Sequence, residues 1–276
     1  MIAHPSACNL LVGARVLHRS NYFAGKGVCV RASAFEFRFR AAIIVAIVAL
    51  GAWSPWIDTR NIARRISLLE WSALQLSRLD IAAFTVATPI VIVAICLLAA
   101  LAVALRVWGT AYLGPGTVNS MQMKSGILAA GGPYRYVRNP LYLGTWCMVA
   151  AITFILPPTG SLVVFVLLTI FLPRLILGEE SFLAASQGEA YAAYMRAVPR
   201  LIPRLRTTMP RARLQPQWLR ALLSELNPIG VFITFAVFSW TYNNRVMTKS
   251  ILISFGISLI MRAVTPSLPT HPDSSE

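Results

Sequence analysis

The chain has 276 residues, of which 57% are hydrophobic and 13% charged, with a mean hydropathy of +0.64. A soluble domain carries about 25% charged and 45–50% apolar residues, so a water-soluble globule and a disordered chain are both excluded. Lys and Arg outnumber Asp and Glu by 25 to 10, a net charge of +15. That balance points to nucleic acid in a soluble protein and to cytoplasmic loops in a membrane protein, so the placement of the charges decides.

Residues 1–40 carry Arg15, Arg19, Lys26, Arg31, Arg38 and Arg40. They lack an apolar core followed by a cleavage site, so they read as a poorly ordered basic arm or as an upstream start, not as a signal peptide. Segment 41–57 is apolar and uncharged until Asp58, about the minimum for a spanning helix. In 58–80, Ile62, Ile66, Leu69, Trp71 and Leu74 recur at helical spacing, which predicts an amphipathic interfacial helix. Segment 81–105 is a long uncharged run broken only by Pro89, a kink that membrane helices tolerate. From 140 to 173 there is again no charge, and Pro157-Pro158-Thr159-Gly160 divides the run into a hairpin. Segment 206–226 is basic and proline-rich, 227–264 reads as a C-terminal hydrophobic hairpin of uncertain span count, and 265–276 as a disordered tail.

The basic residues of 1–40, 106–139 and 174–220 fall on one side if the first span begins inside, while 58–80 and the 157–160 turn fall on the other. The fold class that follows is all-α: a polytopic membrane protein with five or six transmembrane helices, a cytoplasmic N-terminus and a cytoplasmic pocket at the head of the hairpin. An inner bacterial membrane is the expected location, and the charge marks anionic headgroups as a partner rather than nucleic acid.

The scarce residues narrow the chemistry. His4, His18 and His271 lie near the ends, so a histidine base or metal site is not expected. Cys8, Cys29, Cys96 and Cys147 form no C-x-x-C pair, and no dinucleotide or Walker pattern appears. The acids away from the termini are Asp58, Glu70, Asp80, Glu179, Glu180, Glu189 and Glu225, and any functional carboxylate comes from this short set.

The informative stretch runs from Arg106 to Pro203. Gly131, Gly132 and Pro133 form a tight turn before Tyr134, Arg135 and Tyr136. Arg138-Asn139-Pro140 follows, with Tyr142 and Gly144, and Pro140 suits the first turn of a helix whose open N–H groups can hold polar ligand atoms. Across the hairpin lie Glu179 and Glu180, about 100° apart on a helix, so one can face a ligand while the other orients an arginine. Tyr191 and Tyr194 share a face of the next helix, and Val198-Pro199-Arg200 closes the set. Taken singly, each piece also reads as a positive-inside arginine, an interfacial tyrosine or a solvated helix end.

As an ordered set these residues resemble the isoprenylcysteine carboxyl methyltransferase and phospholipid methyltransferase superfamily, over about 80–205. The matching pieces are Gly132-Pro133-Tyr134, Arg138-Asn139-Pro140 with Tyr142 and Gly144, Glu179-Glu180, and Gly188 with Tyr191 and Tyr194, preceded by Arg106, Trp108, Leu113 and Gly114. Asn139 stands where the isoprenylcysteine enzymes usually carry histidine, and Asn-Pro is closer to the phospholipid enzymes.

The resemblance implies S-adenosyl-L-methionine as methyl donor, a lipid or lipid-linked acceptor entering from the bilayer, and no metal. It implies Arg138 and Glu180 as the catalytic pair. It assigns donor binding to Gly132, Pro133, Tyr134, Arg138, Asn139, Pro140, Tyr142, Gly144, Glu179, Glu180, Tyr191 and Tyr194. A sulfonium is favoured by carboxylates and tyrosine faces, and a ligand carboxylate by an arginine and backbone N–H groups. A membrane reductase of the sterol type using NADPH, and a non-catalytic membrane protein or small transporter, stand as the alternatives.

Overall fold

The structure is a computed structural model that describes residues 31–53, 66–113, 131–206, 209–210, 215–242 and 244–264. Among them there are helices and no strand. Residues 1–30 and 265–276, expected as an arm and a tail, and Ile62 of the expected amphipathic helix lie outside the described residues.

Helix α1 (Ala34–Arg38) begins at a capping box, in which Ser33 Oγ accepts from Glu36 N while Glu36 Oε2 accepts from Ser33 N. The Arg174 guanidinium donates to the Glu36 carboxylate at 3.0 Å, and Ala32 N donates to Arg174 O at 3.0 Å. The last ten residues of the expected arm are therefore folded, because a local cap and a long-range ion pair hold them. Helix α2 (Arg40–Ala52) follows. Helix α3 (Leu68–Arg78) has a second capping box, Ser67 with Glu70. Its first two N–H groups donate to Leu156 O and Phe154 O, so its start is fastened to the hairpin turn. Leu69 and Ala73 are buried in the main core and Trp71 stays half-exposed; α3 packs on other helices along one face.

Helix α4 (Phe84–Leu113) is 30 residues long and contains Pro89. It does not stop at the end of the apolar run. Arg106 lies inside it, with its charge matched by a partner in the protein. After the 3-10 turn Gly132–Arg135 come α5 (Pro140–Thr153) and α6 (Pro158–Gln187). The expected hairpin forms, with Pro158 at the first helical position and Ser161 Oγ donating to Thr153 O at 2.6 Å across the turn. Helix α7 (Glu189–Ala197) completes this half. Helices α8 (Trp218–Ser224) and α9 (Leu226–Thr241) meet at a 71° bend, and α10 (Asn244–Val264) packs along α9.

Among the described residues two helices, α4 and α6, are long and apolar enough to cross a membrane, and the bent α8–α9 pair makes a third if it is one span. Helices α2 and α5 are apolar but have 13 and 14 residues, short of the roughly 20 that a span needs. Length and composition thus give two to three candidate spans among the described residues, where five or six were expected. Two cores flank α5. One joins Val91, Ile95 and Ala99 of α4 to Met148 and Ala151 of α5 and Phe235 of α9. The other joins Ile47 of α2 to Val149 of α5 and Val164, Leu168 and Leu175 of α6.

Candidate functional site

The head of the α5–α6 hairpin is built around Glu180, which is 4% exposed. Its Oε1 accepts from Asn139 Nδ2 at 3.1 Å and lies 3.3 Å from Arg138 Nε. Its Oε2 accepts from Arg200 Nε and Nη2 at 2.9 and 2.8 Å. The backbone braces this cluster, since Arg138 N donates to Pro199 O and Arg204 N to Tyr136 O. Asn139 is the residue before Pro140 and gives no side-chain cap to α5; its amide instead ties Glu180 to Arg200 O, at 3.2 Å. Glu180 is therefore surrounded by donors, each from a segment that converges on the α6 end.

Glu179, one residue earlier, points elsewhere. Its hydrogen-bonding neighbour is the Tyr142 hydroxyl and its nearest counter-charge is Arg40, from the start of α2. The two glutamates split as their helical angle requires, one among arginines and one beside a tyrosine. Arg135 leaves the cluster and donates to Met209 O.

The tyrosines form a third group. Tyr194 Oη donates to Tyr134 O at 2.9 Å, and Tyr191 and Tyr194 pack with Leu183 and Val198. Burial, reinforced by neighbouring negative groups, pushes the hydroxyls of Tyr134, Tyr191 and Tyr194 above their usual range, so they stay neutral donors. The Tyr134 hydroxyl is buried and has no partner among the described residues. Gly132 has φ +51, and a Cβ there would enter the Tyr112 ring, so only glycine lets the turn rest on the last turns of α4.

A second buried carboxylate lies behind this turn. Glu225, at the α8–α9 bend, accepts from Arg106 Nε at 2.6 Å, Arg106 Nη2 at 3.1 Å and Thr110 Oγ1 at 2.8 Å. Arg106 Nη1 donates to Thr145 Oγ1 at 2.6 Å. Gly144 explains how the arginine passes α5, since a Cβ there would sit 2.6 Å from Arg106 Cγ. Glu225, Arg106, Arg200 and Arg40 were not among the site residues expected from sequence. The available signals were the scarcity of acids, which marks Glu225, and the adjacency of Arg200 to the Tyr191/Tyr194 helix. Arg40 had no signal.

Between α5 and α6 an almost wholly apolar, partly open cleft of about 120 Å³ is walled by Tyr142, Trp146, Leu172, Pro173, Ile176 and Leu201. The structure thus brings together Arg138, Asn139, Pro140 and Glu180 in one cluster, and Tyr134, Tyr191 and Tyr194 in a second. Glu179 pairs with Tyr142, which lines the cleft, and Gly144 faces Arg106.

Comparison with known proteins gives a consistent placement. A segment of 70 residues is 44% identical to the methanethiol S-methyltransferase of Crocosphaera subtropica; it covers 25% of this chain and 27% of that relative, so only about a quarter of the relative's length is spanned. No solved structure matches the chain. The family model of the phospholipid methyltransferases matches residues 82–190, which hold α4, the Gly132–Arg135 turn, the hairpin and both Glu179 and Glu180. That segment is similar to the phospholipid methyltransferases, in keeping with the superfamily that its ordered motifs resemble.

Proposed function

We propose that the protein is an integral membrane methyltransferase that binds S-adenosyl-L-methionine at the head of the α5–α6 hairpin and methylates a lipid or lipid-linked acceptor. The observation that carries this reading is the buried, unpartnered Tyr134 hydroxyl set among carboxylates, arginines and tyrosine faces. That donor set fits a ligand with a sulfonium, hydroxyls and an amino-acid end.

When bound, the donor supplies a methyl group on a cationic sulfur, whose charge is lost on transfer. The protein's part is to hold two reactants in line and exclude water. Glu180, with both oxygens engaged by Asn139, Arg138 and Arg200, fixes those side chains around the ligand rather than moving a proton. Glu179, with Tyr142 beside it, is the carboxylate left to accept a proton from an amine or thiol acceptor. The apolar cleft lined by Tyr142 suits the hydrocarbon part of an acceptor arriving sideways from the bilayer. In this reading the N-terminus and the pocket face the cytoplasm, five or six segments enter or cross the bilayer, and the seven arginines of 196–220 lie along anionic headgroups.

The test is binding of labelled S-adenosylmethionine to the purified protein. Loss of binding in Arg138→Ala, Glu179→Ala and Glu180→Ala is expected. Unchanged binding in all three, or tighter binding of NADPH than of S-adenosylmethionine by the wild type, overturns the assignment.

A further inference from the structure

Arg106 and Tyr134 have polar atoms to spare once their internal bonds are assigned. A guanidinium has five N–H donors. Among the described residues, Arg106 uses Nε and one N–H of Nη2 on Glu225 and one N–H of Nη1 on Thr145. Its outer edge keeps one N–H on each terminal nitrogen, and the side chain is 23% exposed. Arg138 is more withdrawn, at 9% exposed, with its groups turned to Glu180 and Met195 O. The inner edge of Arg106 is immobilised on three sides: Glu225 in a two-pronged contact, Thr145, and the backbone of α5 where Gly144 lets the stem pass. Such a fork is pre-organised for a second carboxylate at its open edge.

The charges around Tyr134 have a matching order. Tyr194, Glu179 and Glu225 act on its hydroxyl as negative neighbours and Arg106 as a positive one, and the turn that carries Tyr134 rests on Tyr112, on the same helix as Arg106. A cationic edge and an anion near one neutral hydroxyl complement a zwitterion, the form of an α-amino-acid end. Arg106 and Glu225 cancel as a pair, so the edge offers directed N–H groups rather than a strong field.

We propose that the outer edge of Arg106 and the Tyr134 hydroxyl bind the carboxylate of the methyl donor's amino-acid end, and that Glu225 is a positioning residue that holds Arg106 for it. The inference rests on the reading of the site as an S-adenosylmethionine pocket. Glu225 lies outside the matched segment 82–190, so the bend at the start of α9 supplies to the site a group that the family region itself does not contain.

The experiment compares S-adenosylmethionine with its decarboxylated analogue, identical but for the carboxylate, by equilibrium binding to the full chain in lipid nanodiscs. The wild type is expected to prefer the carboxylate-bearing donor about tenfold or more. The paired variant Arg106→Gln/Glu225→Gln leaves no unmatched buried charge, and Glu225→Gln and Tyr134→Phe probe each contact alone. In the pair the preference should fall towards one while affinity for the analogue stays near wild type, a pattern that simple loss of structure does not produce. Glu225→Gln and Tyr134→Phe should each reduce the preference in part. An undiminished preference in the pair, or in Tyr134→Phe should the pair not fold, overturns the proposal. So does a wild type without preference, which would leave the acceptor as the source of any carboxylate. Failure of the wild type to bind either compound instead removes the methyl-donor reading itself.

Discussion

Glu180 and Glu225 are both buried, at 4% and 5% exposed, and each faces arginine, yet they are held in different ways. Every partner of Glu180 lies between Arg138 and Arg200, within one hairpin and its following helix. The partners of Glu225 are Arg106, Thr110 and no residue near it in sequence. The first carboxylate closes a local unit, and the second fastens the C-terminal helices to α4. A charge buried by its neighbours in the chain belongs to a motif; a charge buried by a distant helix belongs to an assembly of helices.

Removing each carboxylate should separate the two roles. Glu180→Ala leaves Arg138 buried and Arg200 unpaired, a change expected to cost about 3–5 kcal/mol and to abolish donor binding. Unfolding midpoints in detergent and binding of labelled donor would read both effects. Glu225→Ala should cost less, about 2–3 kcal/mol, because Arg106 is partly exposed and can be hydrated. Neutralising both members, as Arg106→Gln/Glu225→Gln, should recover more than half of that stability; no recovery would mean that Glu225 does not work through Arg106.

Gly144→Val tests the crossing from the other side. The new side chain would displace Arg106 and press on the Ala102 carbonyl, at about 1–3 kcal/mol. A binding preference for the carboxylate-bearing donor that survives this change would show that the arginine need not sit where it does.

The smallest effect concerns the N-terminal segment. The Ser33 backbone and then Arg174 hold the Glu36 carboxyl below its usual value of 4.5. A carboxyl depressed in the folded state contributes fully above that value and loses its contribution as pH falls through the lower, folded one. Hydrogen exchange across 31–38 should therefore rise on acidification below about pH 4.5, and Arg174→Gln should move the onset upward. An onset unmoved by Arg174→Gln would leave the Ser33 cap as the only hold on this segment.

What the sequence made legible follows the same division. The hairpin, its Pro158 start, the kink-tolerant run before Arg106 and the cluster around Arg138 and Glu180 are all encoded by residues close together, so spacing alone brings them into view. The length of α4 beyond residue 105 was not legible, because a charge inside a helix reads as the end of a span until its partner is known. Folding of 31–40 depended on Glu36 meeting Arg174 across the chain. The shortness of α2 and α5 was not legible, since hydropathy marks an apolar run without fixing the length of the helix that forms in it.

The equal lengths of α4 and α6 have a consequence for depth. At 1.5 Å per residue, Arg106 lies about 33 Å from the start of α4, and Glu180 lies about 33 Å from the start of α6. That is close to the roughly 30 Å thickness of a bilayer's hydrocarbon layer. If both helices cross the bilayer as proposed, they act as rulers of the same length, bringing the charged groups of the proposed site to where hydrocarbon gives way to headgroups. In that placement a thicker bilayer would draw both groups toward acyl chains together and a thinner one would wet both, so membrane thickness would act on the two halves of the proposed site in common.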